Sequence, residues 1–188
     1  INGNAFTNSN NTVGTIYIVR DPRDIIISAS KYYNKSHNET KENMFNRHMD
    51  LINKYNDKPI STFLGSWSDH YNSWTKNTKN ILLLKYEDLI NNKEVEIRKI
   101  LNFINKFAKL SVDENKIKNC IETSSFKNMK IMENKGLFKE NSKDLNGNLI
   151  TFFNNGKNGN WRGQLEEKIV KEIEDNFQKE MKELGYID

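Results

Sequence analysis

Blocks of apolar residues with two different spacings predict both strands and helices along this chain. Residues 15–20 (TIYIVR) are β-branched and aromatic without polar alternation, which predicts a buried strand of a parallel sheet. Asp is a favoured N-cap residue and Pro suits the first helical position. Because Asp21 and Pro22 follow the strand at once, a helix is predicted from Pro22 to about Tyr33. A strand that leads directly into a helix is half of a βαβ unit.

A second buried strand and several helices are predicted further along. The strand covers residues 81–86 (ILLLKY), and residues 135–160 are rich in Gly and Asn, which indicates a long loop that is either functional or disordered. Helical spacing of apolar residues predicts helices over about residues 40–55 (with His48 on the core face), 61–76, 95–104, 113–121, 124–132 and 165–184. The core positions of the last helix, four residues apart, are Leu165, Ile169, Ile173, Phe177 and Met181.

Strands that alternate with helices predict an α/β layered fold with a mostly parallel sheet. Two clear strands are few for such a fold, and a missing first βα unit would explain the shortage. The chain shows no internal repeat and no linker between domains. We therefore expect one domain over residues 1–188, incomplete at its N-terminus, and since no initiator Met is present we expect the chain to begin inside a longer protein.

The charge and cysteine content exclude several classes of protein. The chain carries 29 basic and 25 acidic residues, a formal net charge of +4, which suits a small anionic ligand and does not call for nucleic acid. Cys120 is the single cysteine, so an intrachain disulfide and a zinc cluster are excluded. The sequence has no apolar stretch of the roughly 20 residues that span a bilayer, and its start resembles no signal peptide. We therefore expect a cytoplasmic protein without a membrane partner.

Arg20 and Ser28 carry the clearest binding chemistry. Arg20 ends the first predicted strand, and ligands of open α/β sheets bind at that edge. The N–H groups at the start of the following helix favour anions, and a guanidinium can donate two hydrogen bonds to a phosphate. Ser28 lies two helical turns on and could add a hydroxyl donor. The residues alone leave a second interpretation open, in which Arg20 pairs with Asp24 and Ser28 only packs.

The segment IYIVRDPRDIIIS resembles the 3′-phosphate-binding segment of the cytosolic-type sulfotransferases, which use 3′-phosphoadenosine 5′-phosphosulfate (PAPS). In that family a strand ends in Arg, and a Ser eight residues later joins it on the 3′-phosphate, the spacing of Arg20 and Ser28. Four further segments resemble the family in the right order. They are GSW at residues 65–67 with His70 and Trp74, ILLLKYEDL, SSFKNM and FFNNGKNGNWRGQL.

This resemblance implies roles for further residues. Tyr86 would lie against the adenine end of the nucleotide, and the adenine would be contacted by Ser125, Phe126 and Met129. An aromatic face and a thioether suit a flat heterocycle. Residues 154–159 would close over the nucleotide. The family has Arg-Lys-Gly where this chain has Asn154, Asn155 and Gly156, and the Arg of that motif binds the 3′-phosphate.

The chain departs from the family pattern in two ways. Asn154 cannot supply the charge of the family Arg, a loss of about 1.5–3 kcal/mol, or roughly tenfold to a hundredfold in affinity, and Lys157 is a candidate substitute. The phosphosulfate-binding loop, the general-base His and the neighbouring Lys of the family, which lie upstream of the Arg-bearing strand, are absent from these 188 residues. His37, His48 and His70 are more typical of structural residues than of a catalytic base.

The resemblance implies a three-layer sandwich like that of the P-loop nucleoside kinases, without its first βα unit. The parent protein would transfer a sulfuryl group from PAPS to a hydroxyl or amine of a small-molecule acceptor, leaving adenosine 3′,5′-bisphosphate. No metal is implied, homodimerisation is left open, and this chain alone is expected to be inactive. A non-catalytic nucleotide- or polyanion-binding module and a P-loop nucleoside kinase relative are the alternatives.

Overall fold

The secondary structure follows the block pattern of the sequence in most of the chain. The computed structural model describes residues 12–55, 58–77, 79–138, 142–143, 148–153 and 156–188. In chain order these residues form β1 (Thr15–Val19), α1 (Pro22–Tyr33), α2 (His37–Phe45), β2 (Asp50–Tyr55), β3 (Lys58–Phe63), α3 (Trp67–Asn77), β4 (Ile81–Lys85), α4 (Tyr86–Asn91), α5 (Lys93–Ile104), α6 (Glu114–Thr123), α7 (Phe126–Asn134), β5 (Ser142–Lys143), β6 (Leu149–Ile150), α8 (Glu167–Asn176) and α9 (Gln178–Glu183).

These elements divide into two compact units. The sheet unit consists of the described residues up to Val19 together with Ser73–Ser125, and it holds β1, β4 and α4 to α6. The helical unit consists of Arg20–Asn72 and the described part of Phe126–Asp188. It holds α1, α2, most of α3, α7 to α9 and the two hairpins β2–β3 and β5–β6.

The sheet unit is built on the parallel pairing of β1 and β4. The register runs from Thr15 opposite Ile81 to Val19 opposite Lys85. Val19 and Leu84 are buried, but the prediction that both strands are buried throughout is wrong, because Ile16, Ile18 and Leu83 are exposed. Both strands coincide with the two apolar runs of the sequence, and the predicted α/β class with a parallel sheet is confirmed. Gly14 precedes β1 where a Cβ atom would lie 2.9 Å from a ring atom of Phe103 in α5, so the strand begins in close contact with that helix.

The core of the helical unit consists of side chains spaced four residues apart. The predicted set is buried around Ile26 of α1 and comprises Leu165, Ile169, Ile173, Phe177 and Met181. The single helix predicted over residues 165–184 is wrong, because α8 ends before Phe177, whose φ of −109° and ψ of 19° interrupt the helix. The Phe177 ring is 1% exposed and packs against Phe45 and Trp67, with ring centroids 5.2 and 5.1 Å away.

The region after α2 differs most from the sequence-based expectation. The helix predicted over residues 40–55 ends at Phe45, and residues 50–55 form β2, which pairs antiparallel with β3. The helix predicted over residues 61–76 begins only at Trp67, because β3 continues to Phe63. His48 is exposed, so its predicted place on a helical core face is wrong. Pairing between two strands is a non-local interaction that the spacing of apolar residues in one segment does not reveal.

Candidate functional site

The N-terminus of α1 brings Arg20 and Ser28 together within the helical unit. The Asp21 carboxylate caps the helix by accepting a hydrogen bond from the Arg23 backbone N–H at 2.9 Å, and Pro22 occupies the first helical position. Arg20 lies just before this cap, and its Nη1 donates to Ser28 Oγ over 3.5 Å. The Ser28 hydroxyl also lies 3.1 Å from the carbonyl oxygen of Ile25. The guanidinium of Arg20, just before α1, thus lies beside the hydroxyl of Ser28 in the second turn of the helix.

Arg23 has a structural role although it lies three residues from Arg20. Its side chain is 5% exposed and donates to both oxygens of Asp21, to Glu174 and to the carbonyl of Tyr186. Burial alone would lower the pKa of Arg23, but the hydrogen bonds and charges of Asp21 and Glu174 raise it above its ordinary value. The guanidinium also lies 4.1 Å above the ring of Trp161. Arg23 therefore ties α1 to α8 and to the C-terminal residues.

Asp24 connects α1 to the glycine-rich stretch at residues 156–161. The residue is 1% exposed, and its Oδ2 accepts the backbone N–H of Gly159 at 2.7 Å. Its Oδ1 accepts the backbone N–H of Trp161 at 3.0 Å. Both oxygens of the buried Asp24 carboxylate therefore bind the backbone of the glycine-rich stretch, part of which is predicted from the sequence to close over a nucleotide.

Glu133 of α7 makes a similar connection at residues 152–153. Its carboxylate is buried and accepts the backbone N–H groups of Phe152 and Phe153, at 2.5 and 3.1 Å. Met129 lies one helical turn before Glu133 on α7 and is half-buried. The helix predicted to contact adenine is therefore joined to the residues just before the family's Arg-Lys-Gly position.

Phe126 and Gly156 are in direct contact in the helical unit. Gly156 has a φ of +56°, and a Cβ atom there would lie 2.4 Å from Cδ2 of the Phe126 ring. Phe153 lies edge-on to Phe126, with ring centroids 6.3 Å apart. Two predicted binding residues from distant parts of the sequence therefore meet at this point. Asn154 and Asn155 lie outside the described residues.

Tyr86 and Ser125 belong to the sheet unit. Tyr86 begins α4 directly after β4, and Ser125 follows the end of α6, where its backbone N–H donates to the carbonyl of Glu122 at 3.0 Å. Both residues are half-buried. Nearby, Lys93 Nζ donates to the carbonyl oxygen of Ser124 at 2.7 Å, which joins the start of α5 to the end of α6. Burial lowers the pKa of Lys93.

Two of the three histidines lie on helices. His70 of α3 is half-buried, and burial lowers its pKa below the ordinary value. His37 begins α2, directly after the Ser36 N-cap. Among the described residues, no three His, Cys, Asp or Glu side chains lie close enough together to hold a metal ion. No helix in the same part of the chain is both long and apolar enough to cross a membrane.

Sequence reasoning missed the carboxylates that hold residues 152–161. Asp24 lies in the first turn of α1, where a negative charge is favourable in any helix, so nothing local marks its second role. Glu133 has the appearance of an ordinary surface residue of α7. The available signal was weak: an acidic residue lies one turn before Ser28 on α1, and another lies one turn after Met129 on α7.

Comparison with known proteins gives a consistent result over nearly the whole chain. A family model described as the sulfotransferase domain matches residues 5–185. The chain is 28% identical over 179 residues to the amine sulfotransferase of Oryctolagus cuniculus and 29% identical over 170 residues to the 3-beta-hydroxysteroid sulfotransferase of Cavia porcellus. These alignments cover 93% and 88% of this chain but 56% and 55% of the relatives, so the chain spans about half their length.

The fold is similar to that of solved structures. One is retinol dehydratase in complex with androsterone and the inactive cofactor PAP, with a TM-score of 0.62 and 26% identity. The match covers 90% of this chain and 47% of that one.

Proposed function

Since this chain belongs to the sulfotransferase domain family, we propose that it forms the nucleotide-binding part of a PAPS-dependent sulfotransferase. The family uses PAPS as the sulfuryl donor. The observation that carries the proposal is the contact of Arg20 with Ser28 at the N-terminus of α1. The two donors have the types and the spacing of the family's 3′-phosphate site.

The chemistry of this position suits a phosphate. A guanidinium offers two parallel N–H donors, and a hydroxyl offers one more. The start of α1 adds the positive end of the helix dipole, while the backbone N–H of Arg23 is already used by the Asp21 cap. The nearby carboxylates of Asp21 and Asp24 are engaged by Arg23 and by backbone N–H groups, which reduces their repulsion of an anion.

The contact of Gly156 with Phe126 supports the adenine assignment. The ring of Phe126 is packed from one side by Gly156 and edge-on by Phe153, which holds it in place for stacking. Met129, one turn along α7, would add its thioether. Tyr86 and Ser125 of the sheet unit are proposed as adenine contacts from family resemblance alone, and Asn154 and Asn155 are retained with Gly156 in the proposed 3′-phosphate set.

In the whole protein, the acceptor oxygen or nitrogen would form a bond to the sulfur of PAPS as the bond from that sulfur to the bridging oxygen breaks. Adenosine 3′,5′-bisphosphate leaves with that bond's electron pair, and the acceptor proton passes to a base. One relative is named an amine sulfotransferase and another a 3-beta-hydroxysteroid sulfotransferase, which supports a small acceptor with a hydroxyl or an amine. We propose that the 188 residues alone bind the nucleotide without turnover, because they contain no phosphosulfate-type loop.

One alternative is supported by a specific observation. Asn154 replaces the family Arg and carries no charge, which favours a non-catalytic nucleotide- or polyanion-binding module. The family match favours a sulfotransferase over a nucleoside kinase relative. A single domain over residues 1–188, a cytoplasmic location and a homodimer stay predictions.

The direct test is a calorimetric titration of adenosine 3′,5′-bisphosphate and of AMP into the purified chain. The bisphosphate should bind about tenfold to a hundredfold more tightly than AMP, because the 3′-phosphate adds charge-assisted hydrogen bonds. The Arg20→Ala variant should lose this preference. The Lys31→Ala variant removes one positive charge from the exposed end of the same helix and should keep it. A folded chain that binds neither nucleotide would contradict the proposal.

The remaining arms separate the alternatives. With PAPS and either a phenol or an amine acceptor, the chain should release no adenosine 3′,5′-bisphosphate, and turnover would show that a catalytic base lies within it. Equal affinity for the bisphosphate and AMP would favour the polyanion-binding module. Tighter binding of ATP than of the bisphosphate would favour the kinase relative.

A further inference from the structure

Two buried carboxylates, from α1 and from α7, hold the described stretches on either side of Asn154 and Asn155. We name residues 152–153 and 156–161 together the anchored loop. On the C-terminal side of the anchored loop, Asp24 accepts hydrogen bonds from the backbone N–H groups of Gly159 and Trp161. On the N-terminal side of the loop, Glu133 accepts hydrogen bonds from the backbone N–H groups of Phe152 and Phe153. All these contacts lie within the helical unit.

The two carboxylates are suited to fixing backbone. Asp24 is 1% exposed and Glu133 is 9% exposed, so water competes little for their oxygens. A hydrogen bond to an ionised acceptor is roughly twice as strong as one between neutral groups. In Asp24 each oxygen accepts one amide, at 2.7 and 3.0 Å, so the carboxylate sets both the distance and the orientation of the loop backbone.

Each carboxylate lies on a helix that carries other residues of the proposed nucleotide site. Asp24 is four residues after Arg20 and four before Ser28, and its carbonyl oxygen lies 3.3 Å from the Ser28 hydroxyl. Glu133 is four residues after Met129 on α7. The loop is therefore joined to the proposed 3′-phosphate donors at one end and to the proposed adenine contacts at the other.

Building on the proposed function, we propose that Asp24 and Glu133 are positioning residues that set how strongly the chain prefers a nucleotide with a 3′-phosphate. Neither would touch the nucleotide, since both act through the anchored loop. They hold Gly156 against Phe126 and keep the loop backbone beside α1, where the 3′-phosphate would bind. With Asn154 in place of the family Arg, backbone N–H groups of the loop become more important donors, so their placement should matter more.

The test replaces each carboxylate by its amide. Asp24→Asn and Glu133→Gln keep the side-chain shape but leave one oxygen where two are needed, and the new NH₂ group faces a backbone N–H. The measured quantity is the ratio of the affinities for adenosine 3′,5′-bisphosphate and AMP. We expect this ratio to fall about tenfold in each variant. The control is Glu180→Gln, because Glu180 is 7% exposed and accepts from Ser68 and Asn72, away from the loop.

The ratio separates positioning from general destabilisation. A variant that is only less stable would lose affinity for both nucleotides to the same extent, as the control should. Hydrogen exchange gives a second readout without ligand: the Gly159 and Trp161 amides should exchange faster in Asp24→Asn and at the wild-type rate in Glu180→Gln. If Asp24→Asn does not fold, Glu133→Gln decides the question.

The outcomes distinguish this inference from the proposed function. If the wild-type chain shows no preference for the bisphosphate over AMP, the proposed function itself is contradicted. A wild-type preference that persists unchanged in a folded Asp24→Asn or Glu133→Gln variant would overturn the positioning role and leave the nucleotide site intact.

Discussion

At the residue scale, two arginines at the start of α1 differ in role because they differ in burial. Arg23 makes ion pairs with Asp21 and Glu174 and donates a hydrogen bond to the Tyr186 carbonyl, so its charge is neutralised within the protein. Arg20 lies before the helix, next to the hydroxyl of Ser28. The RDPR string alone does not tell the two apart, and family resemblance singled out Arg20. The partners of the buried Arg23, up to 163 residues away in sequence, became visible only in the structure.

At the same scale, Gly156 leads to a prediction about the adenine site. Its φ of +56° strains any side chain, and a Cβ would lie 2.4 Å from Phe126 Cδ2. In Gly156→Ala we expect the Phe126 ring to shift, with about tenfold weaker calorimetric binding of adenosine 3′,5′-bisphosphate and AMP alike, because adenine is common to both. The free energy of unfolding should fall by about 1–3 kcal/mol.

The control for this prediction is Gly136→Ala. Gly136 has a φ of +71°, and no atom lies within 4 Å of the point that a Cβ would occupy, so this change adds backbone strain without a collision. The Gly136→Ala variant should have a lower free energy of unfolding, measured by urea denaturation, and an unchanged affinity for nucleotides. Equal affinity of the Gly156 and Gly136 variants would show that the contact with Phe126 does not matter for binding.

At the element scale, α8 and α9 show the limit of periodicity. Spacing every four residues correctly predicted five core positions, because each face of a helix is a local property of the sequence. The interruption at Phe177 was not predictable, since neither proline nor glycine occurs there. The rings of Phe45 and Trp67, from two other helices, pack against this residue.

The same core gives a prediction about stability. Ile173 is 0% exposed and packs in the cluster with Ile26 and Phe177. Ile173→Ala should lower the free energy of unfolding by about 2–5 kcal/mol, because it removes buried methyl groups and leaves a cavity. The control is Ile131→Ala on α7, where the side chain is 40% exposed and the expected loss is under about 1 kcal/mol. Urea unfolding curves measure both, and equal losses would contradict the assignment of this core.

At the scale of the whole molecule, ion pairs make the free energy of unfolding depend on pH. A hydrogen bond from Lys41 lowers the pKa of Glu172 below its ordinary 4.5, and hydrogen bonds from Arg98 lower the pKa of Glu114 in the same way. The side chain of Arg47 lowers the pKa of Asp69 below its ordinary 3.8. These pairs occur in both units, so acid should weaken each of them.

The pH dependence follows from the direction of these shifts. Above the ordinary pKa both folded and unfolded carboxylates are ionised, and the stabilisation is fully present. As the pH falls, the unfolded chain takes up protons first, and the stabilisation is lost as the pH passes through the lowered folded pKa. Urea midpoints should therefore be nearly constant from neutral pH down to about 5 and fall below about 4.5. The fall should be smaller in Glu172→Gln, and a midpoint that rises in acid would contradict this account.

The sequence by itself determined the family, the positions of β1 and β4, the start of α1 and the spacing of the core, and by family resemblance it paired Arg20 with Ser28. These features depend on local patterns and on short motifs whose residues lie within one or two turns of each other. The tertiary structure alone decided the β2–β3 hairpin, the interruption at Phe177 and the attachment of the anchored loop to Asp24. The physical reason is separation along the chain: the Gly159 N–H and the Asp24 carboxylate that accepts it are 135 residues apart, and only folding brings them together.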